Sequence, residues 1–231
     1  MPESYRQELQ SLKLFAGMER DSFDALMRGA YVQNFPPRID LISEGDAPDF
    51  LHVVLTGSVD LYCSWNGRET SMATVRPVST FILAASVQNA PYLMSARTLE
   101  KSRIVLLPSE DVRTIFDRDG AFARAIVGEL AQCYRSVVKN TKDLKLRTSL
   151  ERLANYLLRQ SGSTGATSFE LKMEKRRLAS FLGMTPENLS RAFRGLEPYG
   201  VTVTGSRIEI TDTNDLINFA KPSRLIDDYA S

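Results

Sequence analysis

Histidine and cysteine are close to absent from this chain: its 231 residues include one histidine, His52, and two cysteines, Cys63 and Cys133. A cupin-type metal enzyme needs several imidazoles and carboxylates converging on one ion, so a single histidine argues against that class. Two distant cysteines cannot build a disulfide framework, a zinc finger or a cluster that needs four thiolates, and both read as packing residues. No apolar run of about 18 residues exists to span a bilayer. The N-terminus, MPESYRQELQ, is acidic and polar where a secretion signal needs a basic and then an apolar stretch, so the expectation is a cytoplasmic protein without membrane contact. Charge of one sign is also lacking. The formal net charge of +1 argues neither for nor against nucleic acid, because a global sum hides local patches.

What is present suits a folded protein of one large or two modest domains, with 43% hydrophobic residues to form a core. Residues 1 to 30 space Leu12, Phe15, Met18, Phe23, Leu26 and Met27 as short helices require. From Val32 to Leu107 the runs FLHVVL, SVDLYC and SRIVLLP are rich in β-branched and aromatic residues. Turn signals separate them (EGDAP, TG, NGR, RP), which predicts an antiparallel roll, sandwich or barrel. After Pro108 the pattern is helical. Phe122, Ile126, Leu130, Tyr134, Val137, Thr141 and Leu144 advance by threes and fours, a seam on a helix roughly 35 to 40 Å long. A partner helix would bury that seam; the alternative is that the helix lies across its own β-domain. SLERLANYLLRQ predicts a further helix, SGSTGATS a loop, and FELKM a short extended piece.

The stretch LGMTPENLSRAFRGLE holds the most specific signal. Leu178, Phe181 and Leu182 predict a short helix, which Gly183 stops by adopting the left-handed conformation without steric penalty. Thr185 suits the N-cap of the next helix, and Pro186 suits its first position, where no N–H is needed. Leu189, Phe193 and Leu196 form the buried stripe. Glu187, Ser190, Arg191 and Arg194 project together from the other face. Two helices around a tight glycine turn are a helix-turn-helix, and VTVTGSRIEIT predicts a hairpin directly after it, a winged helix. Arginine can donate two bonds to guanine and glutamate can accept from a cytosine amino group. A Glu–Arg pair four residues apart is also an ordinary intrahelical ion pair. Around this motif Lys172, Lys175, Arg176, Arg177, Arg191 and Arg194 outnumber Glu174 and Glu187, a local excess of four positive charges.

With these residues in view the sequence resembles the CRP/FNR family of bacterial transcription regulators, over essentially its whole length. EGDAPDFLHVVLTGSVDLY is similar to the family's β-roll signature, with Gly45 and Gly57 at its turns and Val59 after the second. The resemblance implies an α+β fold in three parts. An antiparallel β-roll like a cyclic-nucleotide-binding domain occupies residues 1–117, a dimerisation helix 118–147, and a winged helix-turn-helix 148–231. Glu187, Ser190 and Arg191 match the FNR-type reading head, which implies inverted repeats of the TTGAT…ATCAA kind; where the CRP subtype carries an extra arginine, this chain has Pro186. Lys175, Arg176 and Thr185, with Arg194, fall where phosphate contacts position the protein without reading sequence. The implied partners are double-stranded DNA, a second copy of the chain, and RNA polymerase.

Departures from the family bear on the effector. Cyclic-nucleotide-binding members hold the ribose with a glutamate and the cyclic phosphate with an arginine, in the segment matching FILAASVQNAPYLMSARTLE; those positions are Ala84 and Met94 here. A buried phosphate without its arginine is an uncompensated charge, so cyclic AMP is not expected. The FNR-type iron–sulfur cluster is not expected either, since its N-terminal cysteines are missing. The resemblance places Val137 and Val138 where cyclic-nucleotide-binding members face the base. The implied effector pocket, Phe81, Ala84, Met94, Ser95, Tyr134, Val137 and Val138, is a nucleotide-sized cavity turned apolar. It suits a haem, a gas-binding haem in particular, or a small aromatic molecule; a third alternative is that nothing binds. VQNAPYLMSA is most similar to the Dnr- and NnrR-like regulators of denitrification, so nitric oxide sensing is the expectation by analogy. His52 is the one imidazole available to haem iron, with Met94, Cys133 and Tyr134 as weaker ligands. Its parity sets it with Phe50 and Val54, opposite Leu51, Val53 and Leu55.

Overall fold

The computed structural model describes residues 2–171 and 173–228; Lys172, counted above in the basic patch, lies outside them. The chain forms two compact units, Met1–Cys133 and Tyr134–Ser231.

In the first unit, α1 (Glu3–Gln10) and α2 (Arg20–Gly29) precede eight strands. These are β1 (Tyr31–Phe35), β2 (Asp40–Ile42), β3 (Phe50–Thr56), β4 (Val59–Trp65), β5 (Arg68–Val75), β6 (Ser79–Phe81), β7 (Ser95–Thr98) and β8 (Ser102–Pro108). A short helix, α3 (Leu83–Gln88), sits between β6 and β7, and α4 (Ser109–Arg118) follows β8. Two four-stranded antiparallel sheets result, ordered β1-β8-β3-β6 and β2-β7-β4-β5. The alternation of side chains along β3 and β8 explains why both runs carry apolar residues at successive positions. Leu51, Val53, Leu55, Val105 and Leu107 pack with the helices, while Val54, Ile104 and Leu106 point between the sheets, so each strand is buried on both faces. Gly57 is required where β3 turns into β4. Its φ is +85°, and a Cβ there would meet the Lys101 carbonyl oxygen at 2.6 Å.

The long helix α5 (Gly120–Leu146) has 27 residues. Buried Asp119 starts it by accepting from the Ala121 and Phe122 N–H groups, and it also accepts from Glu19 N–H ahead of α2. Phe122 and Ile126 are fully buried among Phe15, Phe23, Leu26 and Ile115, with Phe122 stacked on Phe15, and Leu130 packs against the same cluster. This corrects the expectation that these residues belong to an intermolecular seam: two apolar residues one turn apart are consumed by the first unit's own core. Beyond them Val127, Tyr134, Val137, Val138, Thr141 and Leu144 are exposed.

The second unit contains α6 (Ser149–Thr164), β9 (Ser168–Glu170), α7 (Lys175–Phe181), α8 (Pro186–Gly195), β10 (Val201–Thr204), β11 (Arg207–Ile210), α9 (Thr213–Ala220) and α10 (Arg224–Asp227). Thr148 and Glu151 form a reciprocal capping box at the start of α6. That helix runs four residues further than its composition predicts, through the first half of the expected SGSTGATS loop. The Ser163 and Thr164 hydroxyls donate back to the Gln160 carbonyl, and Gly165 at φ +66° then ends it. Of the piece expected to be extended, FELKM, Phe169 and Glu170 lie in β9, which pairs with β11 to give the sheet order β10-β11-β9. Leu153, Leu157, Leu178, Leu189, Phe193, Leu196, Val201, Ile208 and Leu216 form the core beneath the helix pair.

Candidate nucleic-acid interface and the interior of the roll

The α7–α8 turn is held from three directions. Gly183 has φ +62°, and a Cβ there would come within 2.6 Å of Leu144 Cδ2, so a side chain would be both strained and crowded. Thr185 caps α8 by accepting from Asn188 N–H at 3.2 Å, and Pro186 occupies the first helical position. Arg152, buried on α6, donates from Nε to the Leu182 carbonyl at 2.9 Å and from Nη1 to the Arg147 carbonyl at 2.7 Å. Its Nη2 donates to the Gly183 carbonyl at 3.3 Å. The sequence reading missed Arg152; the signal was a lone arginine inside the apolar repeat SLERLANYLL.

Leu189, Ala192 and Phe193 bury one face of α8, and Glu187, Asn188, Ser190, Arg191 and Arg194 are exposed on the rest of its surface. The Glu187 carboxyl is held below the usual range by its own backbone N–H, then by the Thr185 hydroxyl and the nearby Arg191 charge. It is therefore ionised near neutrality and available as an acceptor. Arg191 donates from Nη2 to Asn188 Oδ1 at 2.6 Å, and Ser190 donates to the Pro186 carbonyl at 3.1 Å. Lys175 and Arg176, in the first turn of α7, are exposed, and the Lys175 ammonium lies 5.5 Å from the centre of the Phe193 ring. The structure thus gathers the expected base-reading and phosphate-contacting side chains on α7, α8 and the cap between them. Such a surface can donate and accept at base edges and neutralise phosphates.

A buried ionic cluster sits at the junction of α5 and α6. Arg147, between α5 and α6, donates to both oxygens of Asp227 at 2.8 and 2.7 Å and to Asp143 at 2.8 Å, and Arg159 donates to Asp227 at 2.7 Å. Lys139 donates to the Asp228 carbonyl. Burial alone would raise the Asp227 carboxyl; the bonds from Arg147 and Ser223 N–H and the two guanidinium charges outweigh it and hold it low.

The expected effector residues divide as follows. Phe81 is buried between the sheets with Val54, Val59, Leu61, Tyr92, Ile104 and Leu106, and Met94 packs against the same group. Ala84 is exposed on α3, and Ser95 accepts from Glu44 N–H at 2.9 Å. Tyr134, Val137 and Val138 are exposed on the part of α5 that belongs to the second unit. His52 is 3% exposed, its ring stacked on Phe81 with 4.9 Å between centroids, and its Nδ1 has no hydrogen-bond partner. Burial pushes its pKa down to about 4. An imidazole this buried leaves no room at its ring edge for iron, so it does not fit a haem ligand in this arrangement. Among the described residues no group of three or more His, Cys, Asp or Glu side chains could hold a metal ion, and no helix is long and apolar enough to cross a membrane.

Comparison with known proteins follows the same division. Residues 32–119 match the cyclic nucleotide-binding domain and residues 151–219 the Crp-like helix-turn-helix domain. The chain is 23% identical over 217 residues to the CRP-like cAMP-activated global transcriptional regulator of Mycobacterium tuberculosis, spanning 90% of this chain and 96% of that one. It is 21% identical over 186 residues to the transcriptional activator protein anr of Pseudomonas aeruginosa, spanning 78% and 76%. FixK2 from Bradyrhizobium japonicum has a similar fold, with a TM-score of 0.69 at 22% identity over 84% of this chain and 98% of that one.

Proposed function

From the premise that this chain belongs to the CRP/FNR family of transcription regulators, we propose that it is a homodimer that reads an FNR-type palindrome, TTGAT…ATCAA, without cyclic AMP. The observation that carries this reading is the surface of α8: Glu187, Ser190 and Arg191 stand exposed on a helix whose opposite side is anchored by Leu189, Ala192 and Phe193. In this reading Arg191 donates to guanine, Glu187 accepts from a cytosine amino group, and Lys175, Arg176, Thr185 and Arg194 hold phosphates. Residues 1–117 are the sensor, 118–147 the dimerisation helix and 148–231 the DNA-binding domain. RNA polymerase is the downstream partner.

The exposed residues of α5, Val127, Tyr134, Val137, Thr141 and Leu144, are the side chains a second copy would cover. Pairing two recognition helices sets the half-sites one helical turn apart. An effector controls such a dimer only by binding one of its two arrangements more tightly than the other. The apolar interior around Phe81 and the residues Ala84 and Met94 favour an apolar effector over a cyclic nucleotide, since Met94 stands where the phosphate's arginine would be needed. Nitric oxide acting through haem would require the ring edge of His52, which is buried here, to open to the iron.

Band-shift titration with the palindrome and with a scrambled duplex of the same composition tests the reading. Preference for the palindrome is expected, and Arg191→Ala is expected to cost about 1–3 kcal/mol and to relax discrimination at the guanine. Equal affinity for the two duplexes would refute it.

A further inference from the structure

The guanidinium of Arg191 is not free to sweep the surface of α8. Its Nη2 donates to Asn188 Oδ1 at 2.6 Å, across three residues on the exposed side of the helix. The backbone that carries Asn188 is itself anchored, since its N–H donates to the Thr185 hydroxyl at the helix start. One of the five guanidinium N–H bonds is used in this contact, and four remain, enough for a bidentate bond to O6 and N7 of one guanine.

We propose that Asn188 is a positioning residue for base reading: its amide oxygen holds Arg191 in the orientation that meets the guanine, so the arginine loses less freedom on binding. The proposal rests on α8 being the base-reading helix. Ordering one rotamer-rich side chain corresponds to roughly a two- to twelve-fold change in affinity, and that is the size of effect Asn188 can supply per half-site. Because the benefit passes through Arg191, it appears only where Arg191 has a guanine to meet.

The test is a double-mutant cycle on the full-length protein, measured by fluorescence anisotropy. The duplexes are the palindrome and a version with the Arg191 guanine pair replaced. Asn188→Leu keeps the side chain's bulk and removes the acceptor. It is expected to lose two- to twelve-fold on the palindrome, to lose nothing on the replaced duplex, and to change nothing further when Arg191 is already alanine. Asn188→Asp restores an acceptor for Arg191. Discrimination between the two duplexes is expected to return, with weaker overall binding because the added negative charge is repelled by the DNA polyanion. Equal losses for Asn188→Leu with and without Arg191, or no loss at all in a protein that does discriminate, would overturn the proposal. A wild-type protein that binds both duplexes equally would instead refute the base-reading assignment of α8. Thermal unfolding of each variant separates these outcomes from misfolding; exposed Asn188 is expected to leave the midpoint unchanged.

Discussion

Replacing Asp227 by alanine removes the carboxylate that joins the C-terminal helix α10 to the junction of α5 and α6. Four hydrogen bonds to the carboxylate go at once, two from Arg147, one from Arg159 and one from Ser223 N–H, all between 2.7 and 2.8 Å. Truncating one side of a buried pair costs about 3–5 kcal/mol, mostly because the surviving charge is left buried and unpaired. Two features reduce that here. Arg147 keeps Asp143 at 2.8 Å, and the Arg159 side chain is 20% exposed and regains water. The expected cost is therefore about 2–3 kcal/mol, or roughly a 30- to 150-fold increase in local opening at 1.36 kcal/mol per tenfold. Amide exchange of Ile226 and Asp227, whose N–H groups bond to the Ser223 carbonyl, reads this opening directly. The sign of the pH dependence follows from a carboxyl held below its ordinary value of 3.8: the contribution is fully present above that pH and is lost as pH falls through the lower folded value. Protection at these amides, corrected for intrinsic exchange, is thus flat from pH 5 to 8 in the wild type. Exchange within about three-fold of wild type in Asp227→Ala would show that α10 is held by something else.

Three further outcomes are expected. The buried His52 ring stays neutral down to about pH 4 while the unfolded chain takes up a proton below 6.5, so stability falls by up to about 3 kcal/mol across that window. His52→Phe is expected to remove that fall in chemical denaturation, and equal pH slopes in the two proteins would contradict the assignment. Tyr134, 71% exposed in the middle of the apolar stripe on α5, is expected to lie in the dimer interface; Tyr134→Glu should give monomers in sedimentation, and an unchanged association constant would place the interface elsewhere. Arg176→Ala is expected to lower the salt dependence of DNA affinity by about one counterion per subunit while leaving sequence preference intact, and an altered preference would make Arg176 a base contact instead.

The helix-turn-helix was legible because its local signals agree. A glycine that must be left-handed, a threonine cap, a proline in the first turn and an apolar spacing of three and four specify one arrangement for Gly183 to Leu196. The strands were legible as a group, since FLHVVL and SRIVLLP are apolar in both parities and only a doubly buried strand tolerates that. Other features were hidden because they depend on distant partners. The spacing of Phe122 and Ile126 on α5 is the same whether the helix meets its own core or a second copy, and Phe15 and Phe23, a hundred residues away, decide it. The extension of α6 depends on hydroxyls bonding back to Gln160, a choice that composition alone reads as a loop. Arg152 and Asp227 act through carbonyls and guanidiniums that no motif brings together, and Asn188 shows its role only once the Arg191 side chain is placed beside it.

The central claim is that α8 reads sequence, and selection of bound duplexes from a random pool by the purified full-length protein tests it most directly. The account predicts enrichment of inverted TTGAT repeats spaced one helical turn between centres, with the guanine position losing its information in Arg191→Ala. A bound pool with no enriched motif, or one whose guanine survives that substitution, would contradict it.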